Sequence, residues 1–216
     1  MKSKKLKKWT TLLTCATALT VMTACSQSSS QSTGTTSSTT SKTSAVTATT
    51  SKKTNKSNSN YFTSKDSDTS YNESSATKIK LSGSSADVSG DGAALSGSTV
   101  TISKAGTYVI SGKSDGVQIK VDAGDSDDVH IVLDGATMTN TNAAINATKA
   151  GHVYLTLKDG TTNTLSDSSS NSDEDADAVI FSKGDLTING SGTLNIDAKK
   201  NNGIKANDSL HITGGT

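Results

Sequence analysis

The chain has 216 residues and a formal net charge of +1, a near-neutrality that hides an asymmetry. No acid precedes Asp66 and ten lysines lie at or before Lys65, while the remainder sets eleven lysines against all 20 acids, a net of −9. Hydrophobic residues make up 31% and aromatic residues 3%, with no proline or arginine; this excludes a multi-pass membrane protein and argues against a globule packed around aromatic side chains or a nucleic-acid reader.

In chain order, residues 1–8 hold five lysines, and residues 9–22 are short and mostly apolar or Thr. Val21-Met22-Thr23-Ala24-Cys25 follows, then Ser26. A basic start, an apolar run too short to span a bilayer and a small residue before the cut describe an export signal. The final residues resemble a bacterial lipobox. That resemblance makes residues 1–24 a lipoprotein signal peptide and Cys25 the first mature residue and the lipidation site. Several acyl chains anchor stably where one would be marginal. The expected location is the extracellular face of a bacterial membrane, with the lipid as the only membrane contact. Both cysteines lie near the N-terminus, so no disulfide framework is available.

Residues 25–70 are expected to form a tether. Ser and Thr dominate it up to about residue 60, and such a stretch cannot bury enough apolar surface to offset its ordering entropy. Residues 61–76 are transitional. From Thr77 on, short alternating apolar segments are punctuated by Gly, Asn and Asp, a pattern of strands and turns.

These segments recur. Tyr108/Ile110, Ile131/Leu133, Leu155/Leu157, Leu186/Ile188 and Leu210/Ile212 are spaced by 23, 24, 31 and 24 residues. The long interval holds the polar stretch 166–177, an insertion of about seven residues into a repeat of about 24. A second series is Ile145, Ile180 and Ile204, and a third Met138, Leu165 and Leu194/Ile196. Three strands per period predict an all-β, right-handed, single-stranded parallel β-helix over residues 71–216, a solenoid incomplete at its C-terminus. The alternative is an antiparallel β-sandwich, with hairpins at Asp115-Gly116, Asp134-Gly135 and Asp159-Gly160.

The phrases Ala76-Thr77-Lys78-Ile79-Lys80-Leu81-Ser82-Gly83, Thr107-Tyr108-Val109-Ile110-Ser111-Gly112, Val132-Leu133-Asp134-Gly135 and Asp185-Leu186-Thr187-Ile188-Asn189-Gly190 are similar to those of bacterial carbohydrate-binding domain-containing surface lipoproteins. The resemblance runs from about Tyr71 and covers the N-terminal part of that family's domain. It implies a β-helix akin to pectate lyases, bound Ca²⁺, and binding of plant-type or acidic polysaccharide without cleavage.

Two acidic groups are the candidate metal ligands: Asp122, Asp125, Asp127 and Asp128 in one turn, and Asp173, Glu174, Asp175 and Asp177 in the insertion. Ca²⁺ takes six to eight oxygens, which clustered carboxylates and turn carbonyls supply. Of the aromatic residues, Tyr108, Tyr154 and Phe181 fall in strand series and are expected in the core. Lys149, Lys183, Lys199, Lys200 and Lys205 could pair with uronate carboxylates. No catalytic residue is expected: the arginine base of related lyases is absent, and His130, His152 and His211 suggest no triad, being read as solvent-facing beside buried neighbours. The function expected is Ca²⁺-assisted binding of extracellular polysaccharide, with a lyase or a ligand-free stalk or adhesin as alternatives.

Overall fold

The computed structural model describes residues 61–216. The expected signal peptide, Cys25 and most of the tether lie outside the described residues. The first element is a 3₁₀ turn at Ser64–Ser67. Fifteen strands follow: β1 Thr77–Gly83, β2 Ser85–Ser89, β3 Ala93–Ser96, β4 Thr99–Ile102, β5 Gly106–Asp115, β6 Gln118–Asp122, β7 Asp128–Thr139 and β8 Ile145–Lys149. The series continues with β9 His152–Leu157, β10 Thr162–Ser166, β11 Ala178–Ser182, β12 Asp185–Gly190, β13 Thr193–Asp197, β14 Asn202–Ala206 and β15 Leu210–Ile212.

These strands make two mixed sheets. One has nine strands, in the order β15-β12-β9-β7-β5-β1-β2, with β10 paired to β7 and β13. The other has six, in the order β14-β11-β8-β6-β4-β3. From β4 on the chain passes repeatedly between the two sheets, and all pairs formed there are parallel. At the N-terminal end the pairs β1/β2 and β3/β4 are antiparallel hairpins.

This architecture corrects the expected single-stranded parallel β-helix with regular coils of about 24 residues. Three features overturn it. First, the sheets are mixed: Gly83 and Gly97, both at φ 59°, open two-residue loops that fold the chain back on itself. Secondly, there are two sheets and not three separate strand faces. β7 runs unbroken for 12 residues through an irregularity at Gly135, where Ser111 faces Asp134 but Gly112 faces Ala136. The third apolar series, expected to form its own face, thereby joins the nine-stranded sheet. Thirdly, the spacing is uneven: Ile131 sits over Leu155 and Leu155 over Ile188, so the Leu186/Ile188 pair is two residues out of the step that the sequence suggested. The antiparallel sandwich fits no better, because parallel pairs dominate. Its three expected hairpins do not form: Gly116, Gly135 and Gly160 have positive φ but lie within or between parallel strands.

The core lies where inward-facing rows from both sheets meet. Tyr108, Ile131, Leu155 and Ile188 form a row on the larger sheet, and Val100, Ile119, Ile145 and Ile180 form one on the smaller. All belong to one continuous cluster and are at most 3% exposed. Burial of each such side chain contributes about 1.5–3 kcal/mol. Tyr108, expected in the core, is there, its hydroxyl donating to Lys104 O at 2.8 Å.

Where rows turn between strands, the backbone approaches too closely for a side chain. Gly190 has φ +97°, and a Cβ there would lie 2.2 Å from Leu157 O. Gly190→Ala is therefore expected to destabilise the domain by about 2–3 kcal/mol. Thermal unfolding of the variant checks this, and an unchanged midpoint would contradict the packing of β12 on β9.

Candidate binding faces

The acidic residues singled out above do not converge. Asp122 pairs with Lys120 at 2.9 Å and Asp125 with Lys149 at 3.5 Å. Asp127 accepts from the Gly124 amide at 2.9 Å, and Asp128 pairs with Lys65. In the insertion, Asp173 accepts from the amides of Asp175 and Ala176, while Asp177 pairs with Lys205 at 2.6 Å. Glu174 is exposed. Among the described residues no group of three or more His, Cys, Asp or Glu is arranged to hold a metal ion. Lysines offset the charge of Asp122, Asp125, Asp128 and Asp177, and the described acids do not gather into a ligand set that fits a resident Ca²⁺.

What the insertion does instead is cover a cleft. Residues 167–177 are knit together locally: Asp167 accepts from Asn171 Nδ2 and from the Lys199 amide, and Lys200 donates to Asn171 O. Ala176 packs with Ala143, Ala178 and Phe181 in a small apolar cluster. Phe181 was expected in the main core, yet it faces outward from β11, and this cluster buries it. Beside it opens a cleft of about 440 Å³ on the outer face of the six-stranded sheet, lined by Asn146, Thr148, Asp173, Asp175, Phe181 and Lys183, among others.

Two polar residues of this cleft stand out. Asn146, in register between Lys120 and Phe181, is 8% exposed, and its Oδ1 accepts no hydrogen bond. A buried acceptor left unsatisfied costs about 1–3 kcal/mol. Lys183 makes no ion pair among the described residues, whereas Lys149, Lys199 and Lys205 all do. Lys183 also borders an adjoining cleft of about 570 Å³ with Asp122, Asp125, Lys149 and Asp208. A hydroxyl-bearing ligand with negative charge could donate to Asn146 Oδ1 and set its anion beside the exposed Lys183.

The outer face of the nine-stranded sheet differs. His130, Tyr154, Thr187 and His211 form one row across β7, β9, β12 and β15. Tyr154 was expected in the core, but its neighbours Val153 and Leu155 are the residues pointing inward. It is nevertheless only 8% exposed, and Thr156, Thr187 and Asn189 are at most 2% exposed. Residues 63–71 cover them. The chief anchor is Asp66, 1% exposed, whose carboxylate accepts from Thr187 Oγ1 at 2.6 Å and from the Thr63 amide at 2.7 Å. His211 Nδ1 lies 3.1 Å from it. The Asp66 carbonyl accepts from Thr213 and Asn189. Thr187 uses its one proton on Asp66, so His152 Nε2, at 2.8 Å from Thr187 Oγ1, must be the donor there. By the same reasoning His130 Nε2 donates to Thr156, which donates to Asn189. Burial pushes the pKa of both histidines down, so each is neutral at pH 7. The three histidines, read from the sequence as solvent-facing, are thus half-buried members of one bonded surface.

Asp66 is the residue that sequence reasoning missed. The available signals were its place as the first acid of the chain and the Thr63-Ser64-Lys65-Asp66 spacing, which forms a capping box. The docked segment reaches further toward the N-terminus than Tyr71, where the domain was expected to begin.

The chain belongs to the carbohydrate-binding domain-containing protein family, whose model matches residues 96–216. It is 40% identical over 131 residues to a carbohydrate-binding domain-containing protein of Acetivibrio thermocellus, covering 58% of this chain and 46% of that one. It therefore spans about half the length of that curated relative. Among solved structures it is similar to the polysaccharide lyase-like protein from C. thermocellum, in its gadolinium derivative. The TM-score is 0.63 at 36% identity, over 65% of this chain and 60% of that chain.

Burial alone would raise the Asp66 pKa, but the bonds from Thr187, Thr63 and His211 outweigh it and hold the carboxyl well below its ordinary 3.8. A depressed carboxyl pKa stabilises the fold above the unfolded-state value and loses that contribution as pH falls through the folded one. Asp66→Asn is expected to lower the unfolding temperature at pH 7. The gap to wild type should narrow once pH drops below 3.8. Thermal scans of both proteins from pH 7 to pH 2 check this.

Proposed function

We propose that this protein binds extracellular polysaccharide without cleaving it, while held to the outer face of the cell membrane by a lipid on Cys25. Family membership supports the ligand class, and the Val21-Met22-Thr23-Ala24-Cys25 run supports the anchor. The observation that carries the reading is the cleft under the insertion, where a buried carbonyl without a donor stands near an ammonium without an anion. A uronic-acid polymer supplies both groups on successive rings. Phe181 forms an apolar part of the lining, and Asp173 and Asp175 offer acceptors to sugar hydroxyls.

Calcium belongs to this reading only as an ion whose donors come largely from the glycan. Asp173 and Asp175 provide a minority of the six to eight oxygens required. Retention on polygalacturonate is expected to fall on chelation, with retention on a neutral β-glucan unchanged. Equal retention with and without chelator would remove calcium from the function.

Asn146→Leu tests the cleft. It removes the orphaned acceptor with little change in volume, so the variant should be at least as stable as wild type. Its affinity for polygalacturonate should fall about tenfold, the equivalent of roughly one hydrogen bond. Lys183→Ala should weaken binding of the acidic polymer and spare the neutral one. Affinity electrophoresis reads both; unchanged mobility of both variants would move the site elsewhere.

A second reading, polysaccharide lyase, is favoured by the likeness to a lyase-like protein. Against it, the chain offers no arginine as base. Appearance of unsaturated-uronate absorbance on polygalacturonate with Ca²⁺ would establish this reading in place of the first.

A further inference from the structure

The outward rows of the nine-stranded sheet have the chemistry of a ligand surface. His152 stacks on Tyr154 with ring centroids 4.1 Å apart and planes 9° from parallel. Around this platform Thr156, Thr187 and Asn189 present hydroxyl and amide groups. Their present occupant is the chain's own segment 63–71, rich in Ser, Thr and Asp. It runs across the strands, from β15 and β12 at Asp66 to β7, where Tyr71 meets His130 edge-on at 6.0 Å. Lys65 stands over the Tyr154 ring, 5.0 Å from its centroid.

The fit leaves room on both sides. A cleft of about 260 Å³ opens between Lys65, Asp68 and the β7–β9 residues Asp128, His130 and Tyr154. Another of about 500 Å³ opens between Ser67, Thr69, Tyr71 and Thr156, Lys158 and Asn189. The segment therefore divides a single groove whose floor is the sheet. Most of its polar hold on β12 and β15 passes through one residue, Asp66.

We propose that this groove is a second polysaccharide-binding site, and that segment 63–71 is an internal strap which a hydroxyl-rich glycan chain displaces. A pyranose ring would take the place of the Lys65 ammonium over Tyr154, and its hydroxyls would replace the Asp66 bonds to Thr187 and Asn189. The strap makes binding conditional, because the groove is competent only in the fraction of molecules in which it has lifted. The proposal rests on polysaccharide as the ligand class and is independent of the cleft beside Asn146.

The test uses the full chain. Asp66→Asn, and separately the pair Lys65→Ala with Thr213→Val, loosen the strap by different routes. Hydrogen exchange of residues 63–71 reports its release, and circular dichroism reports the fold. With Asn146→Leu added to every variant to weaken the other cleft equally, affinity electrophoresis on polygalacturonate and on a soluble β-glucan reads binding against the Asn146→Leu parent. The expected result is faster exchange in the strap and at least about a tenfold gain in affinity for one of the polymers, abolished by adding Tyr154→Ala. A released strap on an intact fold without gained binding overturns the proposal and makes the strap purely structural. A strap that stays protected in both variants, or a fold lost in both, overturns it equally, since the strap is then not separable from the sheet. If wild type binds neither polymer through any variant, the polysaccharide reading itself fails; if wild type binds and release adds nothing, only the second site fails.

Discussion

The constraint on which everything else rests is parallel register between strands far apart in sequence. Ile119 faces Ile145 and Ile145 faces Ile180; Ile131 faces Leu155 and Leu155 faces Ile188. Apolar rows inward force the intervening residues outward on both sheets, because side chains alternate along a strand. A slip of one residue would turn the core to solvent and the polar rows inward. The two outer faces are thus set by the same interaction that closes the core.

Those faces then diverge by what covers them. On the six-stranded sheet, an insertion between β10 and β11 roofs part of the surface and leaves Asn146 without a donor. On the nine-stranded sheet, residues 63–71 cover a bonded set of outward polar groups that runs from Asp66 through Thr187 to His152 and from Asn189 through Thr156 to His130. Buried polar groups are as a rule paired, which marks the unpaired Asn146 Oδ1 out from the bonded groups of the larger sheet.

Much of the architecture was legible as periodicity. The second and third apolar series fall in register in the structure, Ile145 with Ile180 and Ile204, Met138 with Leu165 and Ile196. The regular solenoid drawn from them was not correct. The turn signals were read at Asp-Gly pairs, while the chain reverses at Gly83-Ser84 and Gly97-Ser98. A Gly with positive φ can close a hairpin or accommodate an irregularity within a strand, and the local sequence is alike in both cases. Two sheets in place of three faces follow from β7 continuing through Gly135, a continuity no pattern of apolar residues reveals.

The sequence by itself determined the strand content, most of the inward rows, the interrupting insertion and the change from a basic N-terminal stretch to an acidic remainder. These depend on composition and on spacing along the chain, and both are visible in one dimension. The tertiary structure alone decided which acids stand together, and it set half of the eight candidate ligands against lysines, among them Asp128 against Lys65 and Asp177 against Lys205. It also decided that Asp66 reaches Thr187 across 121 positions and that Tyr154 faces out under the strap. The reason is physical: a hydrogen bond or ion pair depends on distances in space, and between parallel strands those distances are fixed by register and by crossing segments rather than by nearness in the chain.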